Sequence, residues 1–100
     1  MTIEHIRKRV KSVLLKSDES ELESIAELNQ EQFIEFLERT IERNNELAEL
    51  ELFKETKGKI NSLSEFYGKK MSLNSGKFTT ILLENNLLLT NLNELRKINE

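Results

Sequence analysis

From Phe78 to Asn99 seven side chains recur at alternating spacings of three and four: Phe78, Ile81, Asn85, Leu88, Leu92, Leu95 and Asn99. Only a helix makes one continuous stripe of such a spacing, because each turn returns every third or fourth side chain to the same face. Leu82, Leu83, Leu87 and Leu89 widen the stripe beyond a two-stranded seam, so residues 76–98 are expected to form a helix covered on two sides. Nothing elsewhere in the chain competes with helix. There is no proline, the three glycines stand at 58, 68 and 76, and β-branched residues never alternate over a run. The expected fold class is all-α: a bundle or long helical hairpin of about three to five helices in one domain over 1–100, completed by oligomerisation.

Three further helices are read from periodicity and capping. Ile3, Ile6, Val10, Val13 and Leu14 fall within about 100° of one another on a helical wheel, which predicts an amphipathic helix over 2–16. Ser20 followed by Glu23 has the capping-box spacing and would open a short helix over 20–28, burying Leu22, Ile25 and Ala26. Asn29 with Gln32 repeats that logic and opens the main helix, whose apolar face is Phe33, Ile34, Phe36, Leu37, Ile41, Leu47 and Ala48. This helix is expected to run from 30 to 67, with a break near Asn44–Asn45 or at Gly58 if it bends. Unbroken, it would be roughly 57 Å long, more than a compact domain of this size spans. The stretch "YGKKMSLNSGK" (67–77) is the one clear loop.

Charge is sorted into blocks. Residues 1–17 carry +4, 18–53 carry −10, 54–77 carry +4 and 78–100 carry −1, giving the net −3. In the first block Arg7, Lys8, Arg9 and Lys11 crowd one short helix. In the second, Glu31, Glu35, Glu38, Glu42, Glu46 and Glu49 form a stripe about 80° wide, opposite the apolar face. A nucleic-acid role for the basic helix is disfavoured by the neighbouring −10 block, within about one Debye length, and by the lack of interleaved aromatics. A membrane role is disfavoured by a small aliphatic face without Trp or Phe. The simplest expectation sets the basic helix against an acidic one, within the protomer or across a dimer.

Most chemistry has no residues to carry it. Without cysteine there is neither a disulfide nor a thiolate metal site. His5 is the single histidine, with no acid–base partner at helical spacing. The glutamate stripe lacks the Glu-x-x-His pairs of carboxylate metal bundles. Gly76-Lys77 is followed by Phe78, and no strand precedes it, so it is not a phosphate loop. Catalytic, cofactor and metal sites are therefore expected to be absent. No secretory leader or membrane span is evident, since "FTTILLENNLLLTNL" is too short and is interrupted by Glu84 and asparagines; a cytoplasmic setting is expected.

At the level of pattern, "FLERTIERNN" followed by "KINSLSEFYGKKMSLNSGKFTTIL" resembles the helical oligomerisation region of histone-like nucleoid-structuring proteins and their small co-regulators. The resemblance covers about half of the chain and implies self-association beside DNA, although that family's DNA-contacting loop has no counterpart here. The reading preferred from the residues is a non-enzymatic protein-interaction module acting as a helical oligomer. Its interface is expected to use Phe33, Leu37, Ile41, Ile81, Asn85, Leu88, Leu92 and Leu95. Electrostatic contacts are expected from Arg7, Lys8, Arg9 and Lys11 and from Glu35, Glu38, Glu42 and Glu46. The competing classes are a nucleic-acid-associated regulator, using the basic helix or the 69–77 lysines, and a small immunity or secretion-chaperone protein.

Overall fold

A computed structural model describes residues 2–14, 23–70 and 76–98, and the described residues form an all-helical bundle. The four longest helices among the described residues are α1 (Ile3–Val13), α2 (Gln30–Glu55), α3 (Leu63–Gly68) and α4 (Gly76–Lys97). Asn29 caps α2: its side chain accepts the Gln32 N–H at 2.9 Å, and the Gln32 side chain accepts the Asn29 N–H at 3.0 Å. The helix then runs through Asn44–Asn45 without a break. At 1.5 Å per residue α2 is about 39 Å long, and it sets the long dimension of a body 42 × 31 × 18 Å.

The helix ends at Glu55, so of the expected outcomes the break at Gly58 is realised rather than a continuous run to 67, and the reason is local. Thr56 turns its hydroxyl back onto the Leu52 carbonyl at 2.8 Å and accepts the Ile60 N–H at 3.1 Å. Lys57 and Gly58 then take left-handed φ values of 56° and 83°, and the Gly58 N–H closes the end on the Phe53 carbonyl at 2.8 Å. This is a glycine-assisted C-cap, with glycine where left-handed backbone is needed. Residues beyond it reopen as α3 under Ser62, whose hydroxyl accepts the Glu65 N–H at 3.1 Å. Ser62 and Glu65 have the capping-box spacing, a sequence signal for this extra helix.

α2 and α4 pack as an antiparallel pair. The Gln30 amide donates to the Leu95 carbonyl at 3.0 Å, Arg96 pairs with Glu38 at 2.9 Å, and Asn85 meets Ile41 and Asn45 midway. Their interface holds two apolar clusters. One gathers Phe33 and Leu37 with Leu88, Leu92 and Leu95, and takes Ile6, Val10 and Leu14 from α1 and Ile25 from the connection. The other gathers Ala48 and Leu52 with Phe78, and takes Ile60 and Phe66 from the α2–α4 connection. Phe66 and Phe78 meet edge to face at 5.0 Å, a favoured aromatic geometry. Between the clusters along α2 stand the buried polar residues Thr40 and Asn44, and along α4 stands Asn85. A polar belt divides the core.

α1 is shorter than the expected 2–16: it ends at Val13, and Leu15 and Lys16 lie outside the described residues. Of the expected 20–28 helix, the described residues begin at Glu23: 23–25 are helical, and i→i+3 bonds carry the chain on to Leu28. Ile25 is fully buried there, whereas Ala26 is exposed rather than buried. Ser20 and Leu22 lie outside the described residues, as do most of the expected 67–77 loop and Asn99. The Cα radius of gyration is 15.1 Å, against about 13 Å for a compact chain of 100 residues. The excess and the 18 Å thickness describe a flat slab, less than two helix diameters deep.

Candidate interaction surfaces

Six of the eight residues expected at an oligomer interface are buried inside the protomer: Phe33, Leu37, Asn85, Leu88, Leu92 and Leu95. Ile41 and Ile81 are half-buried against the same two clusters. The heptad stripe therefore serves the hairpin's own core, because α2 returns antiparallel along α4 and covers it. The exposed leucines lie instead on the flanks of the stripe.

On α4, Leu83 is 60% exposed and Leu87 44%. Both stand about 160° around the helix from Asn85, so they occupy the side of the slab away from the Asn45–Asn85 bond. Glu94 lies in line with them at i+7 from Leu87, and there α1 reaches α4 through Arg9, paired with Glu94 at 2.9 Å. Being 11 residues long, about 17 Å, α1 covers one end of that flank and leaves the rest bare. Leu47 stands on the corresponding flank of α2 and is also exposed. Together they form an uncovered leucine surface of the kind that marks interaction sites.

The charged residues divide differently from expectation. Among the described residues, the α1 bases make no ion pair to the α2 stripe. Arg7 bonds Glu4 and the Leu28 carbonyl, Arg9 bonds Glu94, and Lys8 and Lys11 pair with no acid among the described residues. Within the protomer, then, the basic helix does not lie against the acidic stripe. Docking of Ile6 and Val10 into the core turns Lys8, about 200° from Ile6, to solvent. Of the stripe, Glu35 pairs with Arg39 and Glu38 with Arg96, while one Glu49 oxygen accepts the Leu63 N–H at 2.9 Å. Glu31, Glu42 and Glu46 are exposed and have no basic partner among the described residues. Like charges at i, i+4 cost about 0.2–0.5 kcal/mol per pair, so Glu42 and Glu46 do not stabilise the isolated helix.

The opposite sign collects at one end. The α2 C-terminus, α3 and the start of α4 bring together Lys54, Lys57, Lys59, Lys69, Lys70 and Lys77. Lys54 and Lys69 are held by Glu51 and Glu65, and the other four have no acidic partner among the described residues. Exposed Tyr67 sits among them in α3. Sequence counting found this charge, but its convergence with Tyr67 depends on the turn at Thr56–Gly58.

No group of three or more His, Cys, Asp or Glu among the described residues is placed to hold a metal ion. No helix among them is long and apolar enough to cross a membrane. His5 is exposed on α1. The chain matches no family model, no curated protein and no solved structure.

Proposed function

We propose that this chain is a non-enzymatic protein-interaction module that works as a helical oligomer in a cytoplasmic setting. The carrying observation is the leucine flank of Leu47, Leu83 and Leu87, which the short α1 leaves uncovered. Burying those side chains against a second apolar surface contributes roughly 25 cal/mol per Å² of apolar area removed from water. The core beneath is a rigid hairpin, so the flank is presented in one geometry and little ordering is needed on association. Light-scattering mass measured over a range of concentrations tests this. The wild-type chain should give a multiple of the 11.7 kDa protomer, and the Leu83→Glu/Leu87→Glu variant a single protomer with unchanged helicity. A wild-type chain that stays a single protomer at every concentration refutes the oligomer.

A second reading, a nucleic-acid-associated regulator, rests on the lysine-rich end. Lys57, Lys59, Lys70 and Lys77 with exposed Tyr67 offer phosphate contacts and one stacking ring. Affinity for single-stranded DNA that falls steeply with salt would support it, since each phosphate contact releases counterion. Lack of retention at low salt removes it.

A further inference from the structure

Near the C-terminal end of α2 the surface is hollow. Leu50 and Phe53, 59% and 51% exposed, line it with Glu46, Glu49 and Asn61 around a volume of about 380 Å³. The Phe53 ring is backed by Gly58: a Cβ on that glycine would stand 3.4 Å from it. Glu42, Glu46, Glu49 and Phe53 are spaced i, i+4, i+7 and i+11. They share about 60° of the helix surface and run about 17 Å along it. An apolar hollow thus continues directly into a row of carboxylates, two of which have no basic partner among the described residues.

We propose that this groove binds a cationic amphipathic helix of a partner protein. An apolar anchor would enter the Leu50–Phe53 hollow, and lysines or arginines would face Glu42, Glu46 and Glu49. The anchor is desolvated between a leucine and an aromatic ring while each cation gains a carboxylate, the combination of apolar contact and charge complementarity used by helix-in-groove complexes. A cation beside Phe53 is also attracted by the ring face. Lys57 and Lys59 follow Phe53 in the chain, so the partner's positive charge belongs toward Glu42 and not beyond the hollow. A second copy is a poor occupant. Its basic helix, α1, has Ile6 and Val10 fully buried in its own core and offers no free apolar face. An anionic membrane surface is repelled by the same carboxylates.

This inference rests on the reading of the chain as a protein-binding module but not on its self-association, and the test separates the two. The probe is a fluorescein-labelled leucine/lysine amphipathic peptide, about five helical turns long, titrated with full-length protein and read by anisotropy. Saturable binding is expected, weakened about tenfold by Phe53→Ser and by Glu42→Gln/Glu46→Gln, and unchanged in Leu83→Glu/Leu87→Glu. Circular dichroism of each variant checks that the helices persist; Phe53 and both glutamates are exposed, so their replacement leaves the core intact. Three results would overturn the proposal. One is equal binding of a lysine peptide without leucines, another is full affinity in Phe53→Ser, and the third is loss of oligomer mass, rather than of peptide binding, in that variant. Peptide binding by a chain that remains a single protomer would uphold the groove while refuting the oligomer.

Discussion

Asn85 sits where the hairpin's two apolar clusters meet, 7% exposed. Its Nδ2 donates to the Asn45 Oδ1 at 2.7 Å and to the Ile41 carbonyl at 3.3 Å, while its Oδ1 is buried without a partner. An amide at such a position favours one register of two helices, since sliding them would set it against leucine, and it does so at a cost in stability. Asn85→Leu should therefore raise stability by about 1–2 kcal/mol, by removing an unsatisfied buried oxygen. The measurement is the urea midpoint, and a lower midpoint would show that the amide stabilises the pair outright. Gly58 is the other residue with a single clear job. Alanine there must adopt the left-handed backbone, so Gly58→Ala should lower stability by about 1 kcal/mol. The heptad spacing already placed Asn85 among leucines and Gly58 was one of two expected breaks; the left-handed backbone that calls for glycine there is seen only in the folded chain.

Among elements, α2 begins at the expected cap and ends just before Gly58, one of its two expected breaks. Asn29 and Gln32 form both bonds of the capping box, and Asn29→Ala should cost about 1 kcal/mol in thermal or urea unfolding. The far end depends on a contact between elements: Glu49 on α2 accepts the first amide of α3, Leu63 N–H, at 2.9 Å. Removing that acceptor with Glu49→Ala should speed hydrogen exchange over residues 60–68 and leave α1 unaffected. Uniform acceleration over the whole chain would mean that α3 has no separate opening. Of the outcomes expected for this stretch, the break at Gly58 is the one observed, although Ile60, Leu63 and Phe66 continue an apolar pattern that a straight helix would also satisfy. A turn at Thr56–Gly58 instead folds those side chains back onto Leu52 and Phe78, burying Ile60 and Phe66. α1 matches its periodicity, with Ile6, Val10 and Leu14 buried, yet its bases face neighbours that the wheel alone cannot name.

At the scale of the molecule, the polar belt of Thr40, Asn44 and Asn85 separates a large cluster at one end from a smaller one at the other. The smaller cluster holds few buried side chains besides Phe66 and Phe78, so Phe78→Ala should cost about 3–5 kcal/mol. Native-state hydrogen exchange should show the loss first in 60–68 and the start of α4, with α1 and the C-terminal half of α4 still protected. Equal loss everywhere would mean that the belt transmits cooperativity instead of dividing it. The slab shape also explains why both proposed surfaces exist. A body 18 Å thick leaves each long helix with one face inward and much of its circumference outward, so the α4 leucines and the α2 carboxylates remain available together.

Helical class, the amphipathic faces, the α2 cap and the sorting of charge were determined by the sequence alone. Each depends on residues within about one or two turns of one another, where 3.6-residue geometry and local hydrogen bonds decide the outcome. Tertiary structure decided which stripes would meet. Whether leucines at heptad spacing face a second chain or their own hairpin depends on α2 returning antiparallel, a relation between residues 40 or more positions apart. The same long-range packing turned the basic helix toward Glu94 and left Glu42 and Glu46 without a cation among the described residues, whereas local helix geometry and the Gly58 cap set Phe53 in line with them. Apolar burial has no direction of its own, so the sequence could say that these faces must be covered, while only the folded chain could say by what.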